Sequence, residues 1–201
     1  MNIESKEALR EIYGFARGRA KQKQLESLEQ HTRHFIKTSP FVLISTVNSA
    51  GKLDCSPRGG NRGFVEIIDD HRFIIPDSKG NNRLDSLTNI IETKRVGCIF
   101  LIPGVDETLR INGSAALSVL PAYLQRFSAE RNPPKCVIEV SIDEVFLHCA
   151  KAFMRSRLWS SESKIERSSF PTMGQMLNDQ LGDSSEPENQ QSMVERYQEN
   201  L

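Results

Sequence analysis

From Phe41 to Leu147 the sequence keeps returning to short β-type runs whose connections are too brief for most parallel crossovers. A parallel pair needs a connection of a dozen or more residues, whereas antiparallel neighbours close through a few. Phe41 to Val47 is rich in β-branched and apolar residues, and Asn48-Ser49-Ala50-Gly51-Lys52 after it reads as a hairpin loop. A short strand then leads to Cys55-Ser56-Pro57-Arg58-Gly59-Gly60. Phe64 to Ile68 reads as another strand, and Asp69-Asp70-His71 turns the chain into Arg72 to Pro76. Val96 to Ile102 is apolar enough to predict burial on both faces. Thr108 to Val119 is a long strand in which Gly113 predicts a bulge or bend, and Val137 to Leu147 is the last. Six or seven strands with few helices predict a closed or nearly closed antiparallel barrel.

Helical spacing appears at the ends and at two interruptions. Ala8, Leu9, Ile12, Tyr13 and Ala16 mark one N-terminal helix. Leu25, Leu28, Thr32, Phe35 and Ile36 mark a second, closed by Pro40. Leu84, Leu87, Ile90 and Ile91 give an apolar stripe on a helix from about Asn81 to Thr93. Pro121 to Arg131 reads as a helix with proline in its first turn. From Ser160 the composition shifts to Ser, Glu, Gln and Asn, with a short helix over Met173 to Gln180. The acidic stretch after Gly182 reads as a mobile arm or as one that packs on a partner subunit. The chain is thus divided into N-terminal helices packed on the barrel (1–40), the barrel (41–159) and a polar helical tail (160–201).

Composition removes several function classes. Twenty-six basic side chains balance 26 acidic ones over 201 residues, which gives no support to general polyanion or nucleic-acid binding. No run approaches the ~18 apolar residues of a membrane span, and the start lacks a basic segment followed by an apolar one. A soluble cytoplasmic protein without a membrane partner is expected. Cys55, Cys98, Cys136 and Cys149 form no CxxC pair and no zinc-type cluster, so no metal site is expected and they read as small buried hydrophobes.

Four segments carry candidate chemistry. Asp77-Ser78-Lys79-Gly80-Asn81-Asn82-Arg83 lies between a strand and a helix start. Unpaired N–H groups and the positive end of a helix, with Lys79 and Arg83 as cations and Asn81 and Asn82 as amide donors, suit a phosphate. The same segment also reads as an ordinary capped helix, and it is not a P-loop. Ser56-Pro57-Arg58-Gly59-Gly60 is a flexible cationic strand end or a plain surface turn. In Thr108-Leu109-Arg110-Ile111-Asn112-Gly113, alternation sets Arg110 and Asn112 opposite Leu109 and Ile111. An outward Arg110 matters only if a ligand or subunit covers that face. Lys151 and Arg155 share a helical face ahead of Arg157 and Trp159, the sole tryptophan, and suit either a planar anion or simple packing. No paired carboxylates, catalytic triad order or HExxH spacing occurs, and no catalytic residue is singled out. Ligand-holding groups without acid–base machinery suit a cofactor that brings its own chemistry.

In this order the motifs resemble the FMN-binding split-barrel family related to pyridoxamine 5'-phosphate oxidase, and more narrowly a bacterial branch of flavoproteins. They are Ser56-Pro57-Arg58-Gly59, then Ile75-Pro76-Asp77 with Gly80-Asn81-Asn82-Arg83-Leu84-Asp85-Ser86-Leu87. Pro103-Gly104 with Glu107 to Gly113 follows, then Phe146-Leu147-His148-Cys149 with Lys151-Ala152 and Arg155 to Trp159. The resemblance implies a mainly β protein with flanking helices. Its core would be a six-stranded antiparallel split β-barrel that forms a homodimer, with FMN at the subunit interface. Asn81, Asn82 and Arg83, aided by Lys79, would hold the phosphate. Ser56, Pro57, Arg58 and Gly59, with Ile75, Pro76 and Asp77, would run beside the isoalloxazine. Arg110, Lys151, Arg157 and Trp159 would complete the site, some from the second subunit.

Two departures separate the chain from true pyridoxamine 5'-phosphate oxidases. Their Arg-Lys pair at the phosphate reads Asn82-Arg83 here, and a polar tail replaces their arginine-bearing end. The expected function is FMN-dependent oxidation or reduction of an unidentified small molecule. The alternatives are a non-catalytic flavin-binding or redox-sensing protein, or a haem- or F420-binding member of the same fold, with His148 the one plausible haem ligand near the motifs.

Overall fold

The computed structural model describes residues 2–200. Three helices lead, α1 (Lys6–Tyr13), α2 (Arg19–Gln22) and α3 (Gln30–Thr38). Strands β1 (Phe41–Val47), β2 (Leu53–Gly59), β3 (Glu66–Ile67) and β4 (Arg72–Pro76) precede α4 (Asp85–Thr93). After β5 (Arg95–Leu101) and β6 (Thr108–Ser118) come α5 (Pro121–Leu124) and a 3-10 turn (Gln125–Phe127). The chain ends with β7 (Val137–His148), α6 (Lys151–Ser156), α7 (Met173–Leu181) and α8 (Gln190–Gln198).

All seven strands join one antiparallel sheet in the order β2-β1-β5-β6-β7-β4-β3. The mainly β class with flanking helices and the antiparallel pairing are as the sequence predicts. Seven strands form, one at each run the sequence pattern marks, where the family resemblance implies six, and the sheet is not closed. Among the described residues no ladder joins the edge strands β2 and β3. Side chains link β2 to α4 instead, with Ser86 Oγ donating to Asp54 at 2.5 Å. β3 is short because turns consume its flanks. Phe64 N–H donates to Asn61 O (3.0 Å) and Ile68 N–H to Arg72 O (2.9 Å).

Strand alternation sorts the side chains. Val42 and Ile44, Phe73 and Ile75, Val96, Cys98 and Phe100, Leu109 and Ile111, and Val140 and Val145 fill one buried face. Phe35 and Ile36 of α3 and Leu87 and Ile90 of α4 are buried with them. The rings of Phe73 and Phe100 meet edge-on at 5.8 Å, a geometry their quadrupoles favour. β5 is not buried on both faces as expected, since Ile99 stands 37% exposed on the other. Gly113 sits at the predicted bulge, where the β6/β7 register shifts between Asn112 and Gly113.

Three helix boundaries also differ. The second N-terminal helix starts at Gln30 and not near Leu25, because Leu25 is drawn into a β-bridge with Val145. α5 tightens into its 3-10 turn where Phe127 is buried against Ile74 and Val137. α4 starts at Asp85 and not at Asn81, because Asn82 and Leu84 both adopt left-handed conformations (φ 59° each), which a right-handed helix cannot include. Of the four free cysteines only Cys98 is buried, and burial pushes its thiol pKa up to about 12. Cys55 and Cys149 are exposed and Cys136 is half-buried, so burial does not describe the set.

Candidate functional site

β2 carries the first cluster. Its alternation turns Asp54, Ser56 and Arg58 to one half-buried side and Cys55, Pro57 and Gly59 to the exposed one. Arg58 is pinned locally, with Nη1 donating to Ser56 Oγ (2.6 Å) and to Pro57 O (2.9 Å). Its Nη2 lies 3.9 Å from Asp77 Oδ1, so two motifs far apart in sequence meet here. Ile75 and Pro76, at the end of β4 and just ahead of Asp77, are buried. Asp77 N–H donates to Cys136 O at 3.0 Å, which holds the Asp77 backbone beside the start of β7. Burial raises the Asp77 pKa above the ordinary carboxylate value, and the nearby Arg58 charge opposes that rise. The half-buried Cys136 thiol is likewise raised, first by burial and then by Asp77.

The loop from Asp77 to α4 carries the second cluster. Lys79, Gly80, Asn81, Asn82 and Arg83 are all exposed. Asn81 Oδ1 accepts from Arg83 N–H (3.1 Å), an Asx-type turn that suits the left-handed Asn82 beside it. α4 opens from Leu84 with no side-chain cap, so its first N–H groups have no side-chain acceptor. The side-chain cap of an ordinary capped helix is thus absent at Leu84. Arg83 Nε donates to Asp85 Oδ2 (2.8 Å), and that contact raises the guanidinium pKa. Lys52, Asp54, Arg83, Asp85 and Glu92 line a cleft of about 250 Å³.

The third cluster belongs to the outer face of the sheet. The ladders place Pro57, Leu43, Ile99, Arg110 and Phe146 in one cross-strand row. Arg110 is exposed, and its guanidinium lies 5.5 Å from the centre of the Phe146 ring. Lys23 Nζ stands 5.3 Å from the same ring. Beyond β7, exposed Lys151 opens α6. Arg157 ends that helix in a left-handed conformation (φ 51°) and pairs with Glu162 at 2.6 Å. Trp159 stacks on Phe153 with centroids 5.5 Å apart, and its Nε1–H donates to Val105 O (2.9 Å).

The structure therefore brings Arg58 to Asp77 and puts Pro57 on one face with Arg110. Among the described residues no hydrogen bond or ion pair joins Arg110, Lys151, Arg157 or Trp159 to the β2 and 77–83 clusters. Asp54, Asp85, Cys136 and Phe146 escaped the sequence reading as site residues. Asp54 was within reach, since strand alternation puts it on the side of Ser56 and Arg58. Cys136 was not, because only the β4/β7 pairing carries it to Asp77. Among the described residues no group of three or more His, Cys, Asp or Glu side chains is placed to hold a metal.

The family model for pyridoxamine 5'-phosphate oxidase matches residues 28–149. Solved structures with this fold include a single-residue variant of HupZ from Group A Streptococcus, at 18% identity and a TM-score of 0.50 over 60% of this chain and 98% of that one. A protein related to general stress protein 26, from Clostridium acetobutylicum, is 9% identical with a TM-score of 0.46, over 59% of this chain and 85% of that one. HutZ, the haem storage protein of Vibrio cholerae, is 12% identical with a TM-score of 0.40, over 60% and 93%. No curated protein matches the chain at a significant level.

Proposed function

The chain belongs to the pyridoxamine 5'-phosphate oxidase family, and from that premise we propose that it is a flavoprotein that binds FMN as a homodimer and oxidises or reduces a small molecule. The observation that carries this reading is the start of α4. A nine-residue helix without a side-chain cap follows a loop that presents Lys79, Asn81, Asn82 and Arg83 to solvent. Backbone N–H groups, the helix dipole and two cations on one short segment fit a phosphate dianion. Gly80 leaves the space beside its backbone open, with no atom within 4 Å of where a Cβ would stand.

In this reading Asn81, Asn82 and Arg83 hold the phosphate, and Lys79 supplies further charge. The planar ring system lies along Ser56, Pro57, Arg58 and Gly59 and against Ile75, Pro76 and Asp77. β2 is an edge strand, so its outward backbone groups lack a strand partner and can bond the polar rim of the ring. Arg58, braced by Ser56 and Asp77, places a cation at that rim, and Asp77 offers a carboxyl whose pKa burial has raised. FMN, when bound, supplies the acceptance and release of hydride or electrons. Arg110, Lys151, Arg157 and Trp159 complete the site, some of them from the second subunit. The homodimer draws support from the outer row Pro57, Leu43, Ile99, Arg110 and Phe146, an apolar row with one cation in which Pro57, Ile99 and Arg110 are exposed and Leu43 and Phe146 half-buried. No helix among the described residues is long and apolar enough to cross a membrane.

The test is the absorbance spectrum and mass of whatever co-purifies with the full chain. Flavin bands and the mass of FMN are expected. A colourless protein that shows no saturable binding on FMN titration overturns the proposal. A Soret band replaces FMN with haem.

A further inference from the structure

Two parts of the chain take no share in the core. Leu25 is bridged to Val145, Gln24 bonds the Glu144 side chain and Lys23 the Leu147 carbonyl, and everything ahead of Lys23 is an arm. Within that arm α1 is well formed locally. Ser5 Oγ accepts from Ala8 N–H, and Gly14 N–H closes the other end on Arg10 O. Yet α1 buries no residue, and Leu9, Ile12, Tyr13 and Phe15 are 39%, 62%, 75% and 72% exposed. An isolated helix of eight residues is shorter than water sustains, so its apolar stripe needs a surface to pack on.

The tail has the matching problem. α7 is capped by Thr172 and ended by Gly182, and it also buries nothing. Met173, Leu177 and Leu181 recur every four residues and form an exposed stripe. The tail is nevertheless an ordered unit. Gly174 packs so closely on Glu188 that an added Cβ would lie 2.5 Å from its carbonyl oxygen. Arg196 holds the Glu188 carboxylate through Nε (2.9 Å) and Nη2 (2.7 Å). Arg131 Nη1 donates to Gln198 O (3.2 Å) and ties the far end to the body.

Charge distinguishes the two surfaces. Arg17, Arg19 and Lys21 follow one another in the arm, with no acidic residue from Ile12 to Gln24. From Ser168 to Asn200 the tail holds Asp179, Asp183, Glu186, Glu188, Glu195 and Glu199 against the single Arg196. We infer that in the homodimer the N-terminal arm of one protomer docks on the tail of the other, α1 on the α7 stripe and the basic run on the acidic tail. The inference rests on the homodimer reading above. A second copy is the occupant because each protomer carries one arm and one tail, of opposite charge and each with an uncovered apolar stripe. Twofold symmetry then pairs both arms with both tails and leaves neither surplus.

Mixed dimers of 14N- and 15N-labelled full-length chains, joined by a carbodiimide that links lysine to carboxylate without a spacer, test this. Expected are mixed-isotope pairs between peptides bearing Lys6 or Lys21 and peptides from the Asp179–Glu199 stretch. A variant combining Arg17→Glu, Arg19→Glu and Lys21→Glu, all at exposed positions, is expected to lose those pairs. Links confined to same-isotope chains, or none between arm and tail, overturn the clasp while a dimer in sedimentation leaves the homodimer reading standing. A monomer in sedimentation overturns both. Undiminished mixed pairs in the triple variant overturn the charge pairing on which the choice of occupant rests.

Discussion

Arg83 and Asp77 show how single residues divide between holding a ligand and tuning a site. Arg83→Ala removes one charge-assisted phosphate contact, worth about 1.5–3 kcal/mol. FMN affinity is expected to fall roughly 10- to 100-fold on that basis, while the melting temperature of the cofactor-free protein stays unchanged because the side chain is exposed. Titration of wild type and variant measures this, and equal affinities would move the phosphate elsewhere. Asp77 is governed by linkage. Burial raises its pKa in the folded state, so the folded protein holds that proton more tightly than the unfolded chain. Its contribution is fully present below the ordinary carboxylate range and is lost as pH rises through the raised pKa. Asp77→Asn is therefore expected to gain stability relative to wild type between acid and neutral pH. Urea denaturation across that range reads the difference, and parallel curves would contradict it. Of these two, Arg83 was legible in the sequence as a cation before a helix. The Arg58–Asp77 pairing was not, because it joins the ends of β2 and β4, two strands that no ladder pairs.

At the scale of elements, β6 shows a sequence pattern that survived folding intact. Leu109 and Ile111 are buried and Arg110 is exposed, as period-two alternation requires. Gly113 marks its bulge for a steric reason. A Cβ there would lie 2.0 Å from Ser141 O, a backbone atom that cannot swing aside. Gly113→Ala is expected to destabilise the protein by about 1–3 kcal/mol, and thermal melting should fall by roughly 2–4 °C for each kcal/mol. An unchanged melting temperature would mean that β6 and β7 slip without cost. α4 is the contrary case. Its apolar stripe at Leu87 and Ile90 was readable, but its start was not, because the left-handed turns at Asn82 and Leu84 are set by how the loop leaves β4.

For the whole molecule, mass action supplies a further expectation. A ligand that binds only the folded state stabilises it by about 2.7 kcal/mol at one hundred times its dissociation constant. Saturating FMN should therefore raise the melting temperature, and riboflavin, which lacks the phosphate, should raise it less. Equal shifts would remove the phosphate from the binding energy. The antiparallel, mainly β class followed from the sequence because strand alternation and connection length are local properties, readable over a few residues. So did the phosphate-friendly composition of residues 79–83, since those groups are neighbours along the chain. The open sheet edge, the contact of Arg58 with Asp77 and the row shared by Pro57 and Arg110 came only with the folded chain. Each depends on which strands lie side by side, and that is decided by long-range packing across the whole core.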